Sequence, residues 1–407
     1  MPGYGARFWA ERTAENRRRR YPKFRGKHTA DAVVIGGGLT GCTIASVLAQ
    51  AGLKVTLLEA ARLAGGATAG SPGVIVPEPD APFRSADELA GHRAARIVWD
   101  EAKKGAVDFA AALKKLPTKC DLAPAPFLIN TRTTETAQAL RREQAARRHA
   151  GIVAPWLPGP AVQTEIGTES AGAFHFRDGF TFDPVRAALG LASAAEHAGA
   201  RIFEQSEARR TRFTRRYAEV VLASGVIRTH LIVMATGEPG PIIGQLRRHV
   251  RRLDGYVVVT EPLSAAMRRE TGKHRAIVTE FGPDLHWWRW LPDDRILFAG
   301  AASKPVGPRK RDKALVQRTA QLMYELSVRH PVISGLRAQW GWDLPIVTAA
   351  DTLPWIGPHR NYPFHFLALA FGWNADGLIW TAAKAALRFA KGEPRVDDDA
   401  LGFARHL

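Results

Sequence analysis

The run Ala32-Val33-Val34-Ile35-Gly36-Gly37-Gly38-Leu39-Thr40-Gly41 narrows most sharply what this chain can fold into. Four apolar residues in unbroken sequence read as a short strand buried on both faces of a parallel sheet. Three of the glycines then meet separate demands. Gly36 allows a tight turn, Gly38 lets backbone approach a pyrophosphate, and Gly41 lets a helix pack close to the strand. Thr40 to Ala51 reads as that helix, with Ile44, Val47 and Leu48 on one face and Gly52 ending it. Lys54 to Leu58 is a second strand, and Glu59 stands at its carboxyl end. This is one complete βαβ unit within about 30 residues. Its helix N-terminus presents unbonded N–H groups to phosphates. The Glu59 carboxylate suits ribose hydroxyls and repels a 2′-phosphate, which argues against NADP.

A chain of 407 residues is long enough for about two domains. Residues 1–30 are polar and basic, with Phe8, Trp9 and Phe24 among few apolar positions, and read as a surface arm. Helical patterns fall near 85–115, 135–149, 184–198, 312–329 and 377–390. Alternating stretches at 218–222 and 226–235 suggest a hairpin closing on the apolar run Leu231 to Gly237. The span 250–300 is rich in strand patterns, and Phe364 to Ala370 is a late strand.

The glycine turn alone fits a diffusing NAD or a resident FAD, and later segments favour FAD. A single complete glycine fingerprint gives no support for a separate NAD(P)H domain. The small-residue loop Leu63 to Gly73 can run close under a long cofactor. Near the end, Phe371-Gly372-Trp373-Asn374-Ala375-Asp376-Gly377-Leu378 places a glycine turn before another helix. That helix end suits the negative charge that reduced flavin develops.

On these segments the chain resembles the D-amino acid oxidase superfamily of FAD-dependent oxidoreductases. It is most similar to the branch of glycine/sarcosine oxidase, D-amino acid dehydrogenase and γ-glutamylputrescine oxidase. The motifs follow in family order from about Ala30 to Gly392: VVIGGGLTG with Glu59, GATAGSPG, Asp183-Pro184, MATG, DGYVVVTEPL, WWRWLPDDRILFAG, DTLPWIG and FGWNADGLIW. The resemblance implies a mixed α/β and β-rich fold. A discontinuous Rossmann-like FAD-binding domain (31–115, 170–240 and 340–407) would carry an inserted antiparallel-sheet substrate domain (116–169 and 241–339), after a basic arm at 1–30. Gly36, Gly38 and Gly41 should hold the pyrophosphate and Glu59 the adenosine ribose. Ala67 and Thr68 should run along the phosphates and flavin, and the backbone of Ala208 should meet the adenine. Gly372, Asn374, Asp376, Gly377 and Leu378 should surround the pyrimidine edge of the ring. Leu39, Thr40, Ala60, Gly66, Ala235, Thr236 and Gly237 complete the expected cofactor contacts. Two departures crowd the flavin: Ser71-Pro72 replaces an Asn-Gly type pair, and the last loop carries less glycine than is usual.

The activity implied is oxidation of an amine or amino acid by hydride transfer to flavin, with oxygen or a quinone as acceptor. On a strand, Trp287 and Arg289 share one face while His286, Trp288 and Trp290 share the other. Arg289 is a candidate for binding a substrate carboxylate, or else a structural cation–π partner of a tryptophan. Tyr256 either lines the same cavity or packs within the sheet, and Trp373 either walls the pocket or packs in the core. Cys42 and Cys120 are the only cysteines. Neither they nor His92 sits in a context that suits a flavin tether, so noncovalent FAD is expected, with no metal.

Basic residues number 57 against 39 acidic, a net charge of +18. Clusters at 17–20, 209–216, 247–252 and 309–311 could attract nucleic acid or an anionic membrane surface, or form an ordinary solvated surface. A flavoprotein acting on tRNA and a non-catalytic flavin-binding protein are the alternative functions. No apolar stretch of about 18 residues suggests a membrane span, and the N-terminus lacks a secretory pattern, so a cytoplasmic location is expected.

Overall fold

The computed structural model describes residues 3–13, 18–273, 275–283, 285–373 and 376–406. Strand Ala32–Ile35 lies at the centre of a six-stranded sheet. Across the sheet the strands run Trp355–His359, Tyr362–Leu369, Leu231–Gly237, Ala32–Ile35, Val55–Leu58 and Arg201–Phe203. All pairings are parallel except the edge pair 355–359 with 362–369. Ala32 and Val34 enter one apolar cluster, while Val33 and Ile35 enter another. The unbroken apolar run therefore serves two covered faces, as its composition predicts. Helices Leu39–Gln50, Pro184–His197 and Asp376–Lys391 pack about this core.

A ten-stranded sheet forms the second layer system. Its longest pairing joins Val250–Thr260 to Ala338–Ala349, antiparallel. Ile296–Ser303, Trp287–Trp290, Ile277–Glu280, Ala123–Thr131 and Gly172–Thr181 follow in order. It is not purely antiparallel. Ile277–Glu280 runs parallel to Ala123–Thr131, and Gly3–Tyr4 parallel to Ala338–Ala349. It also takes Val74–Ile75, Gly172–Thr181 and Ala338–Ala349, segments that the sequence reading had placed with the cofactor domain. Long-range pairing overrides the local patterns here, because one strand's alternation does not reveal which sheet will cover it.

The expected hairpin divides differently. Ala218–Leu222 and Gly225–Thr229 do pair, but His230 interrupts the run, and Leu231–Gly237 enters the six-stranded sheet instead. Gly26–Thr29 adds to that hairpin in a four-stranded sheet that also includes Ala208–Phe213. Most described residues of the expected N-terminal arm are exposed or half-buried, and its large apolar side chains anchor it. Phe8, Trp9 and Phe24 are buried, and the Trp9 indole N–H donates to the Ser71 carbonyl at 2.8 Å. Three large side chains in a polar segment are a weak periodic signal, yet each fills a core position.

Candidate cofactor and substrate site

The glycine turn is held by contacts that leave no room for side chains. Gly36 has φ +111°, and a Cβ there would lie 2.4 Å from the Ala235 carbonyl oxygen. A Cβ on Gly41 would come within 1.8 Å of the Gly36 carbonyl oxygen, so helix and strand approach at the distance that only glycine allows. The Gly37 N–H donates to Glu59 at 2.7 Å, and the Ala61 N–H to its other carboxylate oxygen at 2.8 Å. Leu39 N–H donates to the Thr68 hydroxyl at 2.8 Å, which ties the glycine turn to the later small-residue loop. Gly38 is the N-cap and offers no side-chain acceptor of its own, so beyond Leu39 the first-turn N–H groups are open to a ligand.

A cavity of about 360 Å³ opens over this turn. Gly36, Gly38, Glu59, Ala60 and Ala208 line it, as does the turn Ala235-Thr236-Gly237 opposite. A second cavity, about 340 Å³, shares Leu39, Thr40, Gly66, Ala67, Thr68, Thr236 and Gly237 with the first. The two form one elongated space. Its far end is walled by Pro72, Leu344, Pro345, Gly372, Trp373 and Asp376. Burial pushes the Asp376 carboxyl up to about 7. Asn374 lies outside the described residues. Gly377 and Leu378 are placed away from the lining. Gly377 backs onto Ala102 and Ala106 of helix His92–Lys114, and Leu378 joins the main apolar cluster. Both follow Asp376 within the first turn of Asp376–Lys391, which crosses helix His92–Lys114 closely at Gly377.

The four substrate candidates separate. Trp373 lines the far end of the cofactor space. Trp287 lines a third cavity, about 420 Å³, and stacks on Phe127 with ring centroids 5.7 Å apart. Tyr256 is buried on the opposite face of the large sheet, with Trp288, Phe298 and leucines of helix Pro308–Arg329. Arg289 shares the Trp287 side of its strand, as alternation predicts, but lies outside the linings of the cofactor space and this third cavity. Its guanidinium donates to the carbonyls of Gly73 and Phe182 and sits 5.2 Å from the Trp9 ring. This placement fits the cation–π alternative, and the guanidinium Nε is buried without a hydrogen-bond partner. The aromatic partner is the N-terminal tryptophan rather than a neighbour on the strand.

Sequence reasoning did not single out Asp80. The Trp373 N–H donates to its Oδ2 at 2.9 Å, while Oδ1 is buried without a hydrogen-bond partner. Burial lifts its carboxyl to about 6 against the opposing bond from Trp373. Asp80 lines the third cavity and Trp373 the cofactor space, so the pair forms the wall between them. The available signal was an acid held between prolines, Pro77-Glu78-Pro79-Asp80-Ala81-Pro82. Glu204 was also missed. It accepts from Leu63 N–H at 2.8 Å and from Arg62 at 2.7 Å, bracing the loop that follows Glu59.

The model of the family described as DAO, FAD dependent oxidoreductase, matches residues 31–388. The chain belongs to the DAO family of FAD-dependent oxidoreductases. The residues present fit its cofactor: a helix N-terminus whose glycine cap offers no side-chain bond, an acid at the second strand and two adjoining cavities that share seven lining residues. Among DAO-family relatives, the chain is 24% identical over 332 residues to γ-glutamylputrescine oxidoreductase of Escherichia coli strain K12, covering 81% of this chain and 76% of that protein. Glycine oxidase from Geobacillus kaustophilus shares the fold with a TM-score of 0.75 at 18% identity, over 93% of this chain and 100% of that one. L-proline dehydrogenase from P. horikoshii gives 0.72 at 18% identity, over 94% and 98%.

The basic clusters are carried by separate elements. Arg209, Arg210 and Arg212 are exposed on strand Ala208–Phe213, Arg251 and Arg252 begin Val250–Thr260, and Arg309 to Arg311 open helix Pro308–Arg329. Among the described residues, no helix is long and apolar enough to cross a membrane.

Proposed function

We propose that this FAD-dependent oxidoreductase oxidises the C–N bond of a small amine or amino acid. The observation that carries the reading is the junction at Asp80 and Trp373, where a largely apolar chamber lies beside the end of the cofactor space. Bound FAD supplies a two-electron acceptor for the hydride on the carbon bearing nitrogen, and the resulting iminium hydrolyses to a carbonyl compound and free amine or ammonia. The chain's own residues hold and exclude. Gly36, Gly38 and the first turn of Leu39–Gln50 would hold the pyrophosphate, and Glu59 the ribose. Trp373, Phe127 and Trp287 keep water from the chamber and hold a substrate carbon near the cofactor end.

The test is an anaerobic screen of amines and amino acids against the yellow holoenzyme, followed at about 450 nm for loss of flavin absorbance. Bleaching by a member of either class supports the reading, and failure of every member overturns it. Repeating the hits with oxygen and with a quinone analogue identifies the acceptor.

A further inference from the structure

We propose that the chamber beside Asp80 selects an amine that carries no carboxylate, pairing the substrate's ammonium group with Asp80 and laying its hydrocarbon part along Phe127, Ile129, Leu140 and Phe281. The proposal deepens the amine-oxidation reading and rests on it.

The argument begins with the charges around the chamber. Among its described lining residues, Arg147 is the one cation. It is held by two carboxylates, Glu78 at 2.6 Å and Glu143 at 2.8 Å, so the cluster as a whole carries no positive charge to offer. The Glu280 carboxylate, also in the lining, is bonded to Arg329 and to His286, the latter at 2.8 Å. That leaves Asp80 as the lining charge without a charged partner, with Oδ1 unbonded. Thr279, on the same wall, also has a hydroxyl oxygen without a partner.

A carboxylate brought into this space would lose its hydration, meet Asp80, and find no free guanidinium to compensate. The arginine that the sequence offered for that purpose, Arg289, lies outside this lining, where its Nη1 donates to the Gly73 and Phe182 carbonyls beneath Trp9 and its Nε is buried without a partner. An ammonium group has the opposite balance. It restores a partner to a buried carboxylate whose proton affinity burial has raised, and passing one ammonium proton to Asp80 leaves the neutral amine whose lone pair forms the C=N bond as hydride departs. The apolar part of the lining, Phe127, Ile129, Leu140 and Phe281, suits an alkyl or aryl chain rather than a second charged end.

The experiment compares, on the holoenzyme, primary alkyl amines and benzylamine with the α-amino acids of the same carbon skeletons, such as pentylamine with norleucine. The expected result is anaerobic bleaching by the amines with kcat/KM at least about 100-fold above the matched amino acids. Bleaching by the amino acids at equal or higher efficiency overturns the proposal while leaving C–N oxidation in place. Bleaching by neither series overturns both. The positioning of the ammonium is read with Asp80→Asn, which keeps an oxygen for the Trp373 N–H. Its KM for the preferred amine should rise about 30-fold while the flavin is retained; an unchanged KM overturns the pairing. A measurement on the unaltered enzyme stands beside it. Perturbation of the oxidised flavin spectrum by the amine should be at least about 30-fold tighter than by the isosteric alcohol, and equal affinities overturn the pairing.

Discussion

Asp80 and Trp373 lie 293 residues apart in sequence, yet the backbone N–H of one donates to the carboxylate of the other at 2.9 Å. The bond pins the proline-rich segment 77–82 to the loop that walls the far end of the cofactor space. Asp80→Ala removes the acceptor and leaves the Trp373 N–H buried without a partner. The expected outcome is flavin release about 10-fold faster, measured by dilution of holoenzyme and recovery of free flavin fluorescence. Asp80→Asn should release flavin at close to the native rate.

Glu59 holds the glycine turn through two backbone N–H groups and stands in the lining of the cofactor space. Glu59→Ala removes both charge-assisted bonds together with the acceptor for a ribose hydroxyl. The FAD dissociation constant should rise about 10- to 100-fold, measured by equilibrium titration of the flavin-free protein.

We propose that Arg289 serves the fold rather than the ligand. Its carbonyl partners are partly provided for without it, since the Phe182 N–H already donates to the Gly73 carbonyl at 2.9 Å. Arg289→Met should therefore lower thermal stability by about 1–3 kcal/mol through lost packing and hydrogen bonding. KM for any substrate should change less than about threefold. A large rise in KM at unchanged stability would return Arg289 to the substrate site.

Asp376 gives a pH signature. Its folded carboxyl titrates near 7, above the 3.8 of an unfolded aspartate. A raised acid binds more protons folded than unfolded, so its contribution favours the fold at low pH. That contribution declines as pH climbs from about 4 to about 7. Asp376→Asn removes the dependence. In flavin-free protein the variant should gain more in unfolding midpoint over the native chain at about pH 8 than at about pH 5. Equal gains at both values would contradict the burial of the ionised form.

What could be read from the sequence was what depends on neighbours in the chain. The Ala32–Glu59 unit declares itself because strand, turn, helix and acid are contiguous and each residue type answers a local steric or electrostatic need. The alternation of Trp287 and Arg289 against Trp288 was legible for the same reason. What covers each face was not. Trp9 reaches Arg289 from the far end of the chain, and Tyr256 turns toward helix Pro308–Arg329. Asp80 looks like one more acid in a loop until Trp373 is folded against it. Its meaning lies in a contact, and sequence order does not record contacts.

The six-stranded sheet also has a history written into its strand order. Leu231–Gly237 is flanked on one side by Ala32–Ile35 and on the other by Tyr362–Leu369. A ribosome delivers the first neighbour hundreds of residues before the second. The nascent chain therefore exposes a half-built cradle with an open apolar edge until Tyr362–Leu369 follows, and the wall residues Gly372, Trp373 and Asp376 come later still. Enclosure of the flavin waits on the segment beyond residue 370, and a chain cut short there should accumulate colourless and prone to pairing with its own kind.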